Sequence, residues 1–560
     1  FAVTKGINKI KTIHALTTTQ KHTSNVNGDA FNRDLCFISF FLPLHTMRLC
    51  GYVIVSALIS PQSIAFHCSS REVLLHMRKH RSYRSAFHRG SNRLFSSSNI
   101  KPSRSGSSSS SSSSIMKRWP QPVVVSHGDY EQDAALDDFI GGPLYSQQKN
   151  LPKLPVPSIE NTLKIFLPSA LPLAESEEEA QNLIQACESF PQEALKLQER
   201  LEARRDETSD SSWLQLWWNQ EGYLKYREPV VINVSYFFNI KHDDETIKDV
   251  EGKPLGVMRG AAALVALGQY RKQVCSGQTP QETIGKKNIP LCSTAFKYMF
   301  HGCRIPKKDQ DVYKMYDPSL YKHCIVAVKG QFFAMDFVDA ENNDEPLSLE
   351  SLEAGLMKCI TLAEKNRNEH HGLDLGVLTA DHRDKWAENR ERLLQVGGEA
   401  MEKALCKLES GAIVLCLDDD DPISLRQLSN TFWHGYNESH INRWFDKSIN
   451  LMCQSDGKLG FLGEHSMADA MPAVGLCEFI AETKYGNLVN ASRDKSSAKI
   501  PAVENIFGEV MDLVAKNDEM MSCIEECKYE KFLLSDLNIF CIDDQCISYL
   551  LAFPNENSSP

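Results

Sequence analysis

Apolar positions recur along this chain at two spacings. Between 173 and 228 the spacing is helical: Leu183, Ile184, Cys187 and Phe190, then Leu195, Leu197 and Leu201, and later Leu214, Trp217 and Trp218. Short, dense apolar runs follow at Val230–Val234, Cys324–Val328, Phe332–Phe337 and Gly411–Leu417, and these predict strands. Between them the pattern returns to helix at Ala261–Val274, Leu349–Lys365, Ala387–Glu409 and Ser424–Leu428. Strands alternating with helices predict an α/β class. The tryptophans Trp213, Trp217 and Trp218 are expected in the core. Pro120, Pro122, Pro143, Pro152, Pro155 and Pro157 predict an extended approach to the first helix.

The first 119 residues follow neither pattern. Residues 1–76 stay unassigned; the chain begins with Phe1, and a short apolar run after Met47 is broken by Ser and Pro. Met77 opens a stretch carrying Arg78, Lys79, Arg81, Arg84, Arg89 and Arg93, and no Asp or Glu occurs between Glu72 and Asp129. Arg-rich, Ser-rich and acid-poor composition is that of an organelle-targeting segment. Mitochondria come first, with peroxisome or cytoplasm as alternatives. Ser105 to Ser114, interrupted by Gly106, cannot pack a core, so 77–119 is read as a targeting segment and linker.

Charge narrows the function. A net charge of −11 argues against nucleic-acid binding, which needs a basic surface to displace counterions. The 17 cysteines are scattered, the nearest spacing being Cys523 to Cys527, so neither a zinc framework nor a disulfide scaffold is expected. His370-His371 lacks a third ligand at useful spacing and predicts no metal site. Asp418–Asp421, just before Pro422, is expected to cap the helix at Ser424.

One window carries chemistry. Ile449–Cys453 and Leu459–Leu462 read as a hairpin turning at Asp456-Gly457, and Gly463-Glu464-His465 follows at its end. A helix beginning near His465 would put His465 and Asp469 on one face. A carboxylate beside an imidazole raises its basicity or anchors its ring, which suits a general base acting on a hydroxyl.

The strings Asn442-Arg-Trp-Phe-Asp-Lys447 and Gly463-Glu-His-Ser-Met-Ala-Asp-Ala-Met-Pro472 resemble the catalytic segment of the carnitine/choline acyltransferases. Other blocks resemble the same family in the same order. They are Leu154-Pro-Val-Pro157, Trp213-Leu-x-x-Trp-Trp218, Tyr223-Leu-x-Tyr-Arg-x-Pro-Val230, Pro290-Leu-Cys292, Cys303-Arg-Ile-Pro306, Gln331-Phe-Phe333 and Leu378-Thr379 with His382-Arg383 and Trp386. The local form around His465 is most similar to the carnitine acetyltransferase branch.

The resemblance implies a two-domain, chloramphenicol-acetyltransferase-like α/β fold, with a family domain over 150–541 whose second half is missing and an aberrant tail over 542–560. It implies reversible transfer of a short acyl group between CoA and carnitine. His465 would be general base, Asp469 its carboxylate neighbour, and Glu464 and Arg443 candidates for ordering it. CoA or acetyl-CoA would be a co-substrate, with no permanently bound cofactor and no metal. A monomer is expected at full length, with membrane association not required. The family's Ser-Thr-Ser motif and the residues that meet CoA and the carnitine carboxylate lie beyond the catalytic His, and here 95 residues follow His465. An exposed apolar interface and poor solubility are therefore expected. Two alternatives stay open: an inactive remnant that at most binds a partner, and a carnitine acyltransferase of longer chain specificity. His465-Ser-Met-Ala-Asp469 also fits the HxxxD motif of other CoA-dependent acyltransferases, but those lack the flanking blocks.

Overall fold

The computed structural model describes residues 142–534, apart from short internal gaps, together with Val124–Val125. The targeting segment, the serine linker, the tail from 535 onward and the side chains of His370 and His371 lie outside the described residues.

Helices α1 (Ile159–Ala170) and α2 (Glu177–Glu207) pack on each other; Ser158 and Ser176 cap them by accepting from the main chain of Asn161 and Glu179. After them come β1 (Tyr236–Ile240), α3 (Leu255–Cys275), β2 (Gly302–Ile305), β3 (Val312–Met315), β4 (His323–Val328) and β5 (Gln331–Asp336). The chain continues through α4 (Leu349–His370), α5 (Arg383–Ser410), β6 (Val414–Asp418), α6 (Leu425–Trp433), β7 (Ile449–Gln454) and β8 (Leu459–Gly463). It ends with α7 (Ala470–Glu482), α8 (Tyr485–Ser492), β9 (Val503–Asn505), α9 (Met511–Ala515) and α10 (Asp518–Leu534).

A seven-stranded sheet runs in the order β9-β5-β4-β6-β7-β8-β1. Its centre, β4-β6-β7, is parallel, and the flanking pairs are antiparallel. Both faces are covered, and the side chains divide with period two. Cys324, Val326, Val328, Leu415, Leu451, Cys453 and Phe461 face a core built with α3, α4 and α7. Ile325, Ala327, Val414, Cys416, Met452 and Leu462 face a second core with Trp386, Leu408, Phe432 and Trp444. The chain is α/β. No helix among the described residues is long and apolar enough to cross a membrane.

Three expectations are corrected. Val230–Val234 is no strand. Val230–Asn233 forms a short turn with Ile232 at φ +70°, and the strand begins at Tyr236. The Asp418–Asp421 run does not cap α6; Ser424 accepts from Gln427 N, and Asp418 points into the interior. Of the tryptophans, Trp213 is buried but Trp217 is exposed, with Arg204 over its ring.

Candidate functional site

The β7–β8 hairpin delivers His465. Gly457, at φ +81°, makes the turn, and five register pairs zip the hairpin from Cys453–Leu459 to Ile449–Gly463. On its other side β8 pairs with β1, which places Gly463 opposite Tyr236. A Cβ on Gly463 would meet the Tyr236 ring at 2.6 Å, so only glycine lets that ring close over the next turn.

His465 follows in a turn, not a helix. The helix α7 starts at Ala470 with Asp469 as its N-cap. The expected pairing still forms: His465 Nε2 lies 3.5 Å from Asp469 Oδ1, because the turn rather than a helical face folds Asp469 back. The same carboxylate accepts from Ala470 N at 2.7 Å. The His465 side chain is 19% exposed and Asp469 77% exposed, so the pair opens to solvent on the Asp469 side. When Nε2 carries a proton, its hydrogen bond to Asp469 holds that carboxyl below its ordinary value.

The other ring nitrogen faces inward. Tyr223 Oη lies 3.3 Å from Nδ1. Tyr223 stands on a π-helical turn, Trp218–Leu224, a distortion that recurs at functional sites. The Tyr236 ring packs edge-on to the imidazole with centroids 4.8 Å apart, and the Tyr223 ring at 5.4 Å. Burial pushes both phenols well up, so they stay protonated. Glu282 adds a titratable group near this mouth: burial first, then the Asp469 and Glu478 charges, push its carboxyl up to about 7.

Glu464 and Arg443 go to different places. The Glu464 carboxylate accepts from Ser466 N and Ser466 Oγ and from Arg304 Nη1 at 3.2 Å, so it shapes the turn that carries His465. Arg443 forms a buried two-pronged pair with Asp418, at 2.9 and 2.8 Å, and donates to Thr431 O. None of these bonds reaches His465 or Glu464. Arg304, Tyr223 and Tyr236 were not singled out from the sequence. Arg304 and Tyr223 stand inside recognised blocks, which was the available signal. Among the described residues no group of His, Cys, Asp and Glu is placed to hold a metal.

An imidazole between a buried phenol and an exposed carboxylate, at the end of a rigid hairpin, can take up and return a proton. The sequence model described as Choline/Carnitine o-acyltransferase matches residues 154–529. Mitochondrial carnitine O-acetyltransferase of Saccharomyces cerevisiae is 27% identical over 349 residues, 61% of this chain and 49% of that protein. Peroxisomal carnitine O-octanoyltransferase of Bos taurus is 29% identical over 413 residues, 70% of this chain and 63% of that protein. The muscle isoform of carnitine O-palmitoyltransferase 1 of Homo sapiens is 31% identical over 351 residues, 61% of this chain and 42% of that protein. The chain thus spans about half the length of the curated relatives it matches. From its sequence blocks, its α/β sheet and this match, the chain belongs to the choline/carnitine O-acyltransferase family.

Proposed function

We propose that the protein to which this chain belongs transfers a short acyl group, acetyl first, between CoA and carnitine, with His465 as general base. The observation that carries this reading is the placement of the His465 ring between Tyr223 and Asp469. With Nδ1–H donated to the Tyr223 hydroxyl, the Nε2 lone pair is left as the base. Nε2 removes the proton from the carnitine hydroxyl, and the oxygen attacks the thioester carbonyl carbon. The C–S bond breaks, and the imidazolium returns its proton to the departing CoA thiolate. Asp469, ionised and close to Nε2, stabilises the imidazolium in between. Glu464 keeps the turn in shape. The acetyl preference draws on the relatives named acetyltransferases, whereas relatives named octanoyl- and palmitoyltransferases favour longer chains.

The test is acylcarnitine formation by the full chain, followed by mass spectrometry with acetyl-, octanoyl- and palmitoyl-CoA. Acetylcarnitine should dominate, and His465→Ala should lower its rate by about 10²–10⁴-fold with the fold intact. No acylcarnitine from any donor, or a rate indifferent to His465, would overturn the assignment for this chain. We further place the protein in mitochondria, on the basic segment after Met77 and the mitochondrial yeast relative. Residues 77–119 fused to a fluorescent protein should reach that organelle, and a diffuse or peroxisomal signal would exclude the address.

A further inference from the structure

We infer that Arg304 is the positioning residue of the His465 site, one guanidinium that fixes both walls of the imidazole at once. The inference rests on the general-base reading for its functional consequence, but not for its geometry.

Arg304 lies on β2, fully buried. Nη2 donates to Tyr223 O at 2.7 Å and to Tyr226 O at 3.4 Å, which pins the turn presenting the Tyr223 hydroxyl to Nδ1. Nη1 donates to Glu464 at 3.2 Å, which pins the residue next to His465 in the chain. Nε donates to Asp311 at 2.6 Å. The three nitrogens thus point three ways, to the phenol's main chain, to the catalytic turn and to an anchor. Tyr223 and His465 are 242 residues apart, and the buried Arg304 guanidinium holds both of their segments.

The anchor is itself held. Asp311 also accepts from Arg383 at 2.7 Å and pairs with Arg227 at 3.1 Å, and Arg383 pairs with Asp446 at 2.8 Å. Burial alone would push the Asp311 carboxyl up, but Arg383, Arg304 and Arg227 together outweigh it and hold it below its ordinary value. An ionised Asp311 therefore faces Arg304, and the guanidinium has a fixed seat. A lysine could keep one charge contact but has no planar fork to reach three directions.

The experiment follows His465 itself. In the full chain, the rate of modification of His465 by diethyl pyrocarbonate is read from its peptide by mass spectrometry, beside acetylcarnitine formation. Arg304→Lys should change the modification rate several-fold and lower kcat roughly ten- to hundredfold, with KM within about threefold. Because Arg304 acts partly through Tyr223 and partly through Glu464, Arg304→Lys combined with Tyr223→Phe should cost less than the product of the two single effects. Additive effects, or His465 labelling untouched in a folded Arg304→Lys chain, would overturn the inference. Should Arg304→Lys not fold, Glu464→Gln cuts the second link while keeping its shape. It should move His465 labelling in the same direction, and no movement would refute the role. A chain that forms no acylcarnitine yet changes its His465 labelling retains the positioning role and loses only the reaction.

Discussion

Lys447 shows what one buried residue does to the stability of this molecule. It is fully buried, and its ammonium donates to Glu409 O at 2.8 Å, in the last turn of α5, and to Gly411 O at 2.6 Å, just beyond that helix. Burial pushes its pKa down to about 8, with Cys303 and Glu409 only partly opposing. An unfolded lysine titrates near ~10.4. Between those values the unfolded chain binds more protons than the folded one, so stability must rise with pH across that window. The slope approaches ~1.4 kcal/mol per pH unit midway. Urea unfolding of the native chain and of Lys447→Met, compared from pH 8 to 10, should give a difference that grows with pH. A flat difference would mean that Lys447 stays charged in the fold. At this scale the sequence was readable where partners are near in the chain. His465 and Asp469 are four apart, and their contact forms even though the expected helix does not. Arg443 is a candidate for ordering the base by its place in the chain, but Asp418, 25 residues away, takes its guanidinium. Spacing carries no information on such through-space choices. Arg304 and Glu464, 160 residues apart, are the same case.

Elements were more legible than residues, because each is set mainly by its own periodicity. The runs at Cys324–Val328 and Phe332–Phe337 became β4 and β5 with shifts of one residue. The predicted helices became α3 to α6, each longer than its predicted stretch: polar ends extend α4 and α5, and further buried residues extend α3 and α6. The misreading at Val230–Val234 has a local cause. β-branched residues look like a strand, but the segment must turn between Pro229 and Tyr236, and Ser235 Oγ accepts from Ile232 N to hold it. A β-branched residue at positive φ is strained. That strain sits four residues before the ring that closes over His465, where the register of β1 against β8 leaves no freedom. The hairpin carrying His465 was legible in full, since Asp456-Gly457 is a turn signal with a mechanism. The onset of α7 was not, because Glu464 ties back Ser466 N and Oγ and delays the helix to Ala470.

Across the whole molecule, stability must be uneven. The 21-residue α3 runs beneath the sheet and buries 16 of its residues. The 31-residue α2 buries only Cys187 and Ala194, carries Pro191 inside it, and leaves Leu195 and Leu197 half exposed. Its partner α1 buries only Thr162. Most helical stability comes from packing an apolar face, so α1 and α2 have little to hold their amides closed. The exception is the C-terminal end of α2. Lys153 Nζ donates to Arg205 O and Asp206 O, Arg204 stacks on Trp217, and Trp213 Nε1 donates to Leu154 O. That anchor adjoins the π-helical turn of Tyr223, so the ordered end of α2 is the end nearest the site. Hydrogen exchange followed by mass spectrometry on the dilute full chain should show a gradient. Exchange should be fast through α1 and the first half of α2, slower from Arg204 to Tyr223, and slowest in α3, β6 and β7. Equal protection of α2 and α3 in dilute solution would contradict this distribution. Protection of α2 that grows with concentration would instead locate the apolar surface through which copies of the chain associate.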